Sequence, residues 1–600
     1  SVHLHWIPRD TNANPCDKLN EYASSIYSEL EYLNYADVKA CYESTPYDKT
    51  KAIQVIEVVK ETLKGFYALL DQAREEPKPG FTFKPIDLIS ELDLILKKNY
   101  SYEFQFIYDV ADLIGELKDG HTRLTSTNYN KYAFYQGLSL YSVIKKDGTQ
   151  QIKVFDDVKD SSTIDCQVTH IDDKPAIDVI TEFARNKTFF SRDLSGRFNS
   201  ALASLGFGNG DFQMASIGQL FSIRNQLPKS PSISYTLNCN NKISKITREW
   251  QVPIKLKFPS LYKYKSPYIT GSSVGKATLI FDAFIARFYK LEDFGVVIIS
   301  TETIINNDND LEYHFLSNIV TGFKMLAEKG IKKIILDLSN NNGGDVFAAH
   351  YINKLLFPNI KNFPVALKVN NNSLPFINEF SKLKLENLID VNANTFDGVL
   401  FHYKSYLSTK TNSQFNNVMD FIGNNIYTRG GVQVKYTTKA FFNDTTLYNG
   451  PLEPPTPPKF PWTEKDIIIL TNGLCFSACA IITQRLAEIN VPTISVGGFP
   501  NNPFSYAQYA VGAATNTIAM NYVLRNVKNI DPSLISKLSF PANLTLSFTI
   551  LEAYSINNPN EVMDYSVRRA NYQLYYDERS ARDPSSLWMQ AANILKSRAH

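Results

Sequence analysis

Ser477 is the residue whose setting in the sequence best suits nucleophilic catalysis. It lies in LTNGLCFSACAIITQRL (residues 470–486), after the apolar stretch DIIILT and before a helical pattern. A stretch that is apolar on both faces predicts a strand inside a parallel sheet, and reactive groups collect where such strands end. At a helix start, free backbone N–H groups and the helix dipole stabilise a developing negative charge. These features favour a nucleophilic serine, although a simple helix N-cap serine has the same pattern.

Two cysteines, Cys475 and Cys479, flank this serine. Their small side chains let the backbone approach a substrate, so close packing is the first explanation for them. A disulfide between them requires that Cys475 lie in the turn, because a four-residue spacing within a regular helix rarely gives disulfide geometry. No second cysteine or histidine pair lies nearby, and nothing in the flanking residues marks a cysteine nucleophile. We therefore expect neither a metal nor a cofactor at this position.

A second motif, SNNNGGDV (residues 339–346), also lies between a buried strand pattern and a helical pattern. Gly343 and Gly344 can present backbone N–H groups to a substrate carbonyl. A strand-to-helix turn that needs glycine for its conformation explains the motif equally well. The motif lacks the spaced glycines and the lysine of a phosphate-binding loop.

His121 and Glu552 have the residue types needed for a base and for an acid that orients it. His121 lies in DGHTRL, a turn after an amphipathic helix, and is more available than His350, which has a helical pattern around it. Glu552 lies near the end of the strand-like run LTLSFTILEAYS, where a lone carboxylate needs a partner such as histidine. Glu488 is about three turns along the helix after the serine, and Glu561 is expected to open a helix over EVMDYSVRRANYQLYY. A surface role is the alternative for His121.

Together these motifs resemble the tail-specific, or C-terminal-processing, serine peptidases. The likeness covers residues 110–574 and rests on DGH (119–121), IILDLSNNNGGDV (334–346) and IIILTNGLCFSACAIIT (467–483). It is strongest to secreted fungal members and to the chlamydial protease activity factor. The resemblance implies an α/β fold with a crotonase-like spiral core and a PDZ-like module.

The resemblance also implies a role for each candidate residue. Ser477 would be the nucleophile, His121 the general base and Glu552 the acid that orients the base. Backbone N–H groups of Gly344 and Ala478 would form the oxyanion hole. The choice of Ala478 also follows from its place after the serine at a helix start.

The sequence departs from the Ser–Lys dyad that many members of this family use. Their lysine follows the serine in the chain, whereas no lysine lies between Lys465 and Lys528 here. Ser477 must therefore take its base from elsewhere. The separation between Ser477 and Glu552 is also long for the family.

The elements that must position these residues fall into three predicted regions. Residues 1–134 form a helical region that carries His121, with amphipathic patterns such as VIEVVKETLKGFYALLDQA. Residues 135–255 form a β-rich, PDZ-like module, for which any other small β-rich domain is the alternative. Residues 256–600 alternate strands with helices, which predicts a mostly parallel sheet with helices on its faces. This peptidase core has an irregular insertion at about 385–465.

Composition excludes some functions and favours a secreted protein. The net charge of +2 leaves no electrostatic footprint for nucleic acid, and no apolar run is long enough to span a membrane. Six cysteines allow pairs such as Cys16 with Cys41 and Cys166 with Cys239, while six free thiols would indicate a cytosolic protein. N-glycosylation sequons, which arise readily by chance in such a chain, occur at Asn99, Asn186, Asn371, Asn443 and Asn543. We expect a secreted or extracellular, disulfide-bonded glycoprotein.

The prediction is a serine endopeptidase that acts on protein or peptide substrates through a Ser–His–Glu triad and needs no cofactor. One alternative keeps the fold and loses the chemistry, as in a catalytically silent relative that binds peptides or apolar ligands. A crotonase-like acyl-CoA enzyme is a second alternative, but it predicts a basic cleft of which the sequence has no clear sign. A homodimer is left open.

Overall fold

The computed structural model describes residues 14–24, 32–254, 263–302, 311–388, 396–443, 453–507, 513–524, 529–541 and 543–598. The chain has a mixed α/β architecture, which confirms the expected fold class. It combines N-terminal helices, a β-rich module and a large core sheet against which helices pack.

The core sheet positions the site. Its strands, in hydrogen-bonded order, are Ile269–Thr270, Ser273–Val274, Ala277–Asp282, Ala286–Leu291, Phe294–Ile299, Lys333–Asp337, Ile467–Thr471, Thr493–Val496 and Tyr572–Leu574. Pairing is antiparallel as far as Phe294–Ile299 and parallel from there on. The core helices are Leu311–Glu328, Val346–Leu356, Ala478–Glu488 and Pro584–Arg598.

Two neighbouring parallel strands bring the two sequence motifs together. Every residue of Ile467–Thr471 is buried, as expected for an apolar strand inside a sheet. It pairs with Lys333–Asp337, so the turns that follow both strands lie at the same edge. An isolated parallel bridge between Asn341 and Cys475 joins these turns directly.

The N-terminal region supplies the turn that carries His121. Its helices are Pro15–Ser24, Tyr35–Tyr42, Lys49–Phe66, Leu88–Ile95 and Glu103–Gly115. The helix Glu103–Gly115 buries one face and ends just before the Asp119–Gly120 turn, as its periodicity predicts. The next strand, Arg123–Ser126, pairs antiparallel with Leu544–Thr549, so the His121 turn is anchored to the C-terminal part of the chain.

The β-rich module contains a sheet and two helices. Its sheet has the strands Leu138–Ile144, Gln150–Asp157, Gln167–Ile171, Lys174–Pro175, Ser232–Cys239 and Lys242–Glu249, and its helices are Ala176–Lys187 and Leu194–Ala201. The edge strand Leu138–Ile144 is partly covered by the chain itself. The Ala203 N–H donates to the Leu140 carbonyl at 2.7 Å, and the Ile144 N–H donates to the Tyr576 carbonyl at 3.3 Å.

Two expectations about the C-terminal half need correction. The region 385–465 is not wholly irregular, because a hairpin of Asn425–Arg429 and Val432–Tyr436 turns at Gly430 and Gly431, both with positive φ. Two adjacent glycines are a hairpin signal that the length of the region obscured. Parts of it, 389–395 and 444–452, lie outside the described residues.

The second correction concerns the segment after Glu561, which forms no long helix. It contains a 3₁₀ turn at Met563–Tyr565 and the strand Tyr572–Leu574. That strand pairs with Thr493–Val496 and extends the core sheet, so tertiary pairing overrides the helical pattern.

The hairpin joins a second sheet that surrounds Glu552. Its strands are Val365–Val369, Tyr406–Ser408, Asn425–Arg429, Val432–Tyr436, Ala440–Phe442 and Leu551–Ala553. Val365–Val369 pairs antiparallel with Leu551–Ala553 and so does not belong to the parallel core sheet. This sheet therefore gives Glu552 surroundings different from those of Ser477.

Three disulfides cross-link the chain. They join Cys16 to Cys41, Cys166 to Cys239 and Cys475 to Cys479. The first two match pairs that the sequence allowed, and the third forms because Cys475 lies in the turn before the helix. Among the described residues no helix is long and apolar enough to cross a membrane.

Candidate active site

Ser477 lies in a strained turn between the strand Ile467–Thr471 and the helix Ala478–Glu488. Its backbone has φ of 52° and ψ of −113°, a conformation that residues with a side chain rarely adopt. Residues 467–476 and 478–486 are all buried, whereas Ser477 is partly exposed. Its side chain does not cap the helix by a hydrogen bond, so the simple N-cap interpretation of this serine fails. We call residues 472–478 the serine turn.

The loop after the neighbouring strand packs directly against the serine turn. We call this segment, residues 338–345, the glycine loop. A Cβ atom added at Gly343 would lie 2.4 Å from the Phe476 carbonyl oxygen and 2.9 Å from the Ser477 Cβ. Only glycine fits this contact, and its φ of +83° also favours glycine. The glycine in SNNNGGDV is therefore required by close approach to the nucleophile candidate.

Two backbone N–H groups beside Ser477 are available to a ligand. Among the described residues, neither the Gly344 N–H nor the Ala478 N–H has an acceptor. The Gly343 N–H, by contrast, donates to Asn341 Oδ1 at 2.9 Å. Ala478 is the first helical residue, where unpaired N–H groups and the helix dipole favour negative charge. Gly344 is exposed, so a substrate can reach it.

His121 lies in the turn after the helix Glu103–Gly115 and is partly exposed. Burial lowers the pKa of its imidazole, while the charge of Asp119 opposes that effect. The backbone N–H of His121 donates a hydrogen bond to Asp119 Oδ1 at 3.0 Å. The imidazole is therefore mainly neutral at neutral pH, which a general base requires.

Asp119 is held in place by a dense set of hydrogen bonds. Its Oδ2 accepts from the hydroxyls of Tyr67 at 3.0 Å, Thr122 at 2.8 Å and Thr549 at 2.9 Å. Burial alone would raise the pKa of Asp119, but the charges of Arg192 and His121, together with hydrogen bonds, bring it below the usual value. A fixed negative charge therefore lies beside the His121 turn.

Aromatic contacts connect the His121 turn with the serine turn. The Lys118 ammonium donates to the Thr188 carbonyl at 3.3 Å and lies 4.8 Å from the ring centroid of Phe189. The next residue, Phe190, packs against Phe476 with ring centroids 6.3 Å apart. The segment 188–190 thus contacts both turns. No hydrogen bond joins Ser477 to His121 among the described residues.

Glu552 is fully buried among partners other than His121. Its two carboxylate oxygens accept from Arg429 at 2.8 and 3.0 Å. Burial raises the pKa of Glu552, and Arg429, Tyr554 and Tyr436 act against that rise. Its assignment as the orienting acid stays a prediction, since the hydrogen bonds of the described residues connect it to the second sheet and not to His121.

Sequence reasoning missed Asn341, which links the two motifs. Its backbone N–H donates to the Leu474 carbonyl at 3.0 Å, and its carbonyl accepts from the Phe476 N–H at 2.9 Å. Its side-chain Oδ1 accepts a hydrogen bond from the Gly343 N–H at 2.9 Å. The run of asparagines in SNNNGGDV was a signal for a polar linking residue, because short amides readily bond to nearby backbone.

The chain is similar to a family of PDZ-like domains and to curated proteins that are named as peptidases. A family model described as the CPAF-like PDZ domain matches residues 133–256. A curated relative, the "Peptidase S41 family protein phomP1" of Diaporthe leptostromiformis, is 22% identical over 612 residues, which cover 86% of this chain and 90% of the relative. The "Peptidase S41 family protein ustP" of Aspergillus flavus is 25% identical over 257 residues, which cover 40% of this chain and 52% of the relative.

Solved structures show the same fold. Mature CPAF complexed with lactacystin superposes with a TM-score of 0.55 at 14% identity, covering 92% of this chain and 98% of that one. Mature CPAF alone gives 0.56 with the same coverage. The expected resemblance to S41-type peptidases and to the chlamydial factor is thus confirmed, as is the CPAF-like fold with a PDZ-like module.

Proposed function

We propose that the chain is a serine endopeptidase in which Ser477 is the nucleophile and His121 the general base. The observation that carries this proposal is the strained, partly exposed Ser477 beside two N–H groups that have no acceptor within the described part of the chain. The similarity to proteins named S41 peptidases supports the same reaction class.

The chemistry follows from these groups. The Ser477 Oγ attacks the scissile carbonyl carbon while His121 takes the hydroxyl proton. The N–H groups of Gly344 and Ala478 donate to the oxygen that becomes negative in the tetrahedral intermediate. His121 then gives the proton to the leaving amine, and water, activated by the same imidazole, releases the acyl group from Ser477.

The carboxylate that orients His121 has two candidates. Glu552 is the acid that the sequence predicts, but in this role its carboxylate would have to leave Arg429 for His121 when substrate binds. Asp119 is the second candidate, because its carboxylate already bonds the His121 backbone and its charge acts on the imidazole. A fixed charge near the imidazole would stabilise the imidazolium formed during attack.

Substrates are expected to be proteins or peptides that reach the exposed edge of the glycine loop. The PDZ-like module packs on the core, since the Tyr576 carbonyl of the core accepts a hydrogen bond from the Ile144 N–H of the module's edge strand. We keep the division into 1–134, 135–255 and 256–600 as part of the proposal. Three disulfides are consistent with a secreted location, in which the sequons would be glycosylated.

The decisive experiment combines covalent labelling with peptide cleavage. A fluorophosphonate probe should label the wild type at Ser477 and leave the Ser477→Ala variant unlabelled. The variant should lose cleavage of a peptide library, while Ser162→Ala, which changes an exposed serine of the PDZ-like module, should retain it. Equal cleavage by the wild type and Ser477→Ala would overturn the proposal. A folded wild type that neither labels nor cleaves would instead support a silent, ligand-binding relative.

A further inference from the structure

Glu302 is a buried acid that the proposed mechanism does not use. It follows the central strand Phe294–Ile299 and has no exposed surface. Its Oε1 accepts a hydrogen bond from Asn341 Nδ2 at 2.8 Å, whereas its Oε2, also buried, has no partner in the described part of the chain. Burial raises the pKa of Glu302 to about 7, against the opposing effect of the Asn341 hydrogen bond.

The backbone of Glu302 holds the glycine loop on both sides of Gly344. The Glu302 N–H donates to the Gly343 carbonyl at 3.1 Å, and the Asp345 N–H donates to the Glu302 carbonyl at 3.1 Å. The Thr301 hydroxyl also donates to the Gly343 carbonyl, at 2.6 Å. These bonds fix the peptide groups that flank Gly344, so they also fix the direction of its N–H.

The side chain of Glu302 acts on the same loop through Asn341. The Asn341 amide donates to Glu302 Oε1 and to the Ile299 carbonyl at 3.1 Å, which sets its orientation. Its Oδ1 then faces and accepts the Gly343 N–H. Two hydrogen bonds therefore connect the carboxyl of Glu302 to Gly343, and Gly343 packs against the nucleophile candidate Ser477.

We propose that Glu302 is a positioning residue which, as a neutral acid, aligns the glycine loop for oxyanion binding and which disables that site when it ionises. The inference rests on the proposed function and deepens it. An ionised Glu302 would place an unpaired buried charge beneath the loop. That charge would repel the developing oxyanion and would favour rearrangement of the loop to hydrate the carboxylate.

Neighbouring titratable groups have other partners. Asp345 caps the helix Val346–Leu356 by accepting the Phe347 N–H at 2.9 Å, and Asp337 accepts the Trp588 indole N–H at 2.8 Å. His350 lies on the same helix. Within the described part of the chain, burial and hydrogen bonds account for the pKa shift of Glu302, with no contribution from a charged neighbour. We therefore expect ionisation of Glu302 to produce an alkaline limb of activity near pH 7 and protonation of His121 to produce the acid limb.

The sign of the effect follows from linkage. The pKa of Glu302 is raised from 4.5 to about 7, so the folded protein keeps a proton that the unfolded chain releases. The free energy of unfolding therefore falls as pH rises between these values, and this loss is complete above about pH 7. The glycine loop of the folded protein loses its order only as the Glu302 carboxyl ionises, through about pH 7.

The test is the pH dependence of kcat and KM for peptide cleavage. In the wild type, kcat should fall as pH rises through about 7. Glu302→Gln keeps an acceptor for Asn341 and cannot ionise, so it should lose this alkaline fall while the acid limb and KM stay unchanged. Glu302→Ala removes the acceptor and should lower kcat across the whole range.

The matched control is Asp156→Asn, because burial also raises the pKa of Asp156 but its strand belongs to the PDZ-like sheet. This control should keep the wild-type profile. An unchanged alkaline fall in Glu302→Gln would overturn the inference. The proposed function would still hold in that case, provided that Ser477→Ala is inactive in the same assay. If Glu302→Ala fails to fold, the profile of Glu302→Gln alone decides.

Discussion

The serine turn and the surroundings of Glu552 differ in whether their polar groups have hydrogen-bond partners. Beside Ser477, the N–H groups of Gly344 and Ala478 lack acceptors in the described structure. Around Glu552, both carboxylate oxygens are bound by Arg429. Polar groups that are saturated by the protein stabilise its fold, whereas groups held without partners are ready for a ligand.

The serine turn also contains a strained backbone conformation, at Ser477, which costs free energy of folding. A residue held at an unusual φ and ψ costs about 1–3 kcal/mol and persists only where its surroundings fix it. Here the Asn341–Cys475 bridge, the contact with Gly343 and the Cys475–Cys479 disulfide fix it. The comparison therefore predicts that substitutions in the first region change catalysis and that those in the second change stability.

The largest expected effect is that of Ser477→Ala. Removing a nucleophile that acts as part of a unit lowers kcat by about 10⁶-fold, the magnitude found for other serine peptidases. The melting temperature should stay within a few degrees, because no hydrogen bond from the Ser477 side chain caps the helix. Hydrolysis of a peptide and thermal unfolding, measured on the same sample, check both parts. A large loss of stability with activity retained would reverse the comparison.

Arg429→Ala should have the next largest effect, and on stability. It leaves the buried Glu552 carboxylate uncompensated, which costs about 3–5 kcal/mol of unfolding free energy. Adding Glu552→Gln should recover part of that loss, because the unpaired charge is removed. Denaturant unfolding of both single variants and the double variant gives the coupling between the two residues.

Activity of Glu552→Gln decides whether this carboxylate also orients His121. We expect the folded fraction of this variant to keep its kcat, since the described hydrogen bonds of Glu552 involve residues other than His121. A kcat lowered by about 10⁴-fold without loss of stability would show the orienting role, since that is the scale for the acid of a triad. Asp119→Asn, measured in parallel, tests the other candidate.

Gly343→Ala should lower kcat by about 10²–10³-fold, the scale for losing one oxyanion donor. The added Cβ would collide with the Phe476 carbonyl and with Ser477, so the glycine loop must move away from the serine turn. Gly148→Ala is a matched control, because its φ is also positive, at +85°, but nothing lies within 4 Å of the added atom. Equal losses of activity in both variants would mean that backbone strain, and not this contact, is responsible.

The sequence was sufficient for the strands that precede the two motifs, for the helix after Ser477 and for the expectation that reactive groups lie where those strands end. These features depend on local periodicity and on the rule that parallel strands end together. Partners from distant segments could not be predicted in the same way. Nothing near Glu552 in sequence indicates Arg429, which a hairpin of the second sheet brings to it.

The buried hydrogen bonds between Glu302 and the glycine loop could not be predicted from the sequence for a related reason. Glu302 has an ordinary sequence context, and only the fold shows that it is buried beneath Gly343 and Gly344. The prediction of a helix after Glu561 was wrong. The sequence pattern there allows a helix, but pairing at the edge of the core sheet requires a strand. Long-range pairing decides such segments, and a single sequence does not contain it.

The smallest expected effect comes from removing a disulfide, and it should differ between the Cys475–Cys479 and Cys166–Cys239 bridges. In the chain-entropy estimate, the bridge between Cys475 and Cys479 contributes only about 2 kcal/mol because its loop is short, against about 4 kcal/mol for Cys166–Cys239. Replacing both Cys475 and Cys479 by alanine should therefore change the melting temperature less than the same change at Cys166 and Cys239. It should nevertheless lower kcat, by up to about 10²-fold, because the serine turn loses a constraint on the position of its nucleophile. The double variant at Cys166 and Cys239 should keep its kcat below its melting temperature. If both pairs change only stability, the Cys475–Cys479 bridge is a structural cross-link, and the contact with Gly343 alone positions Ser477.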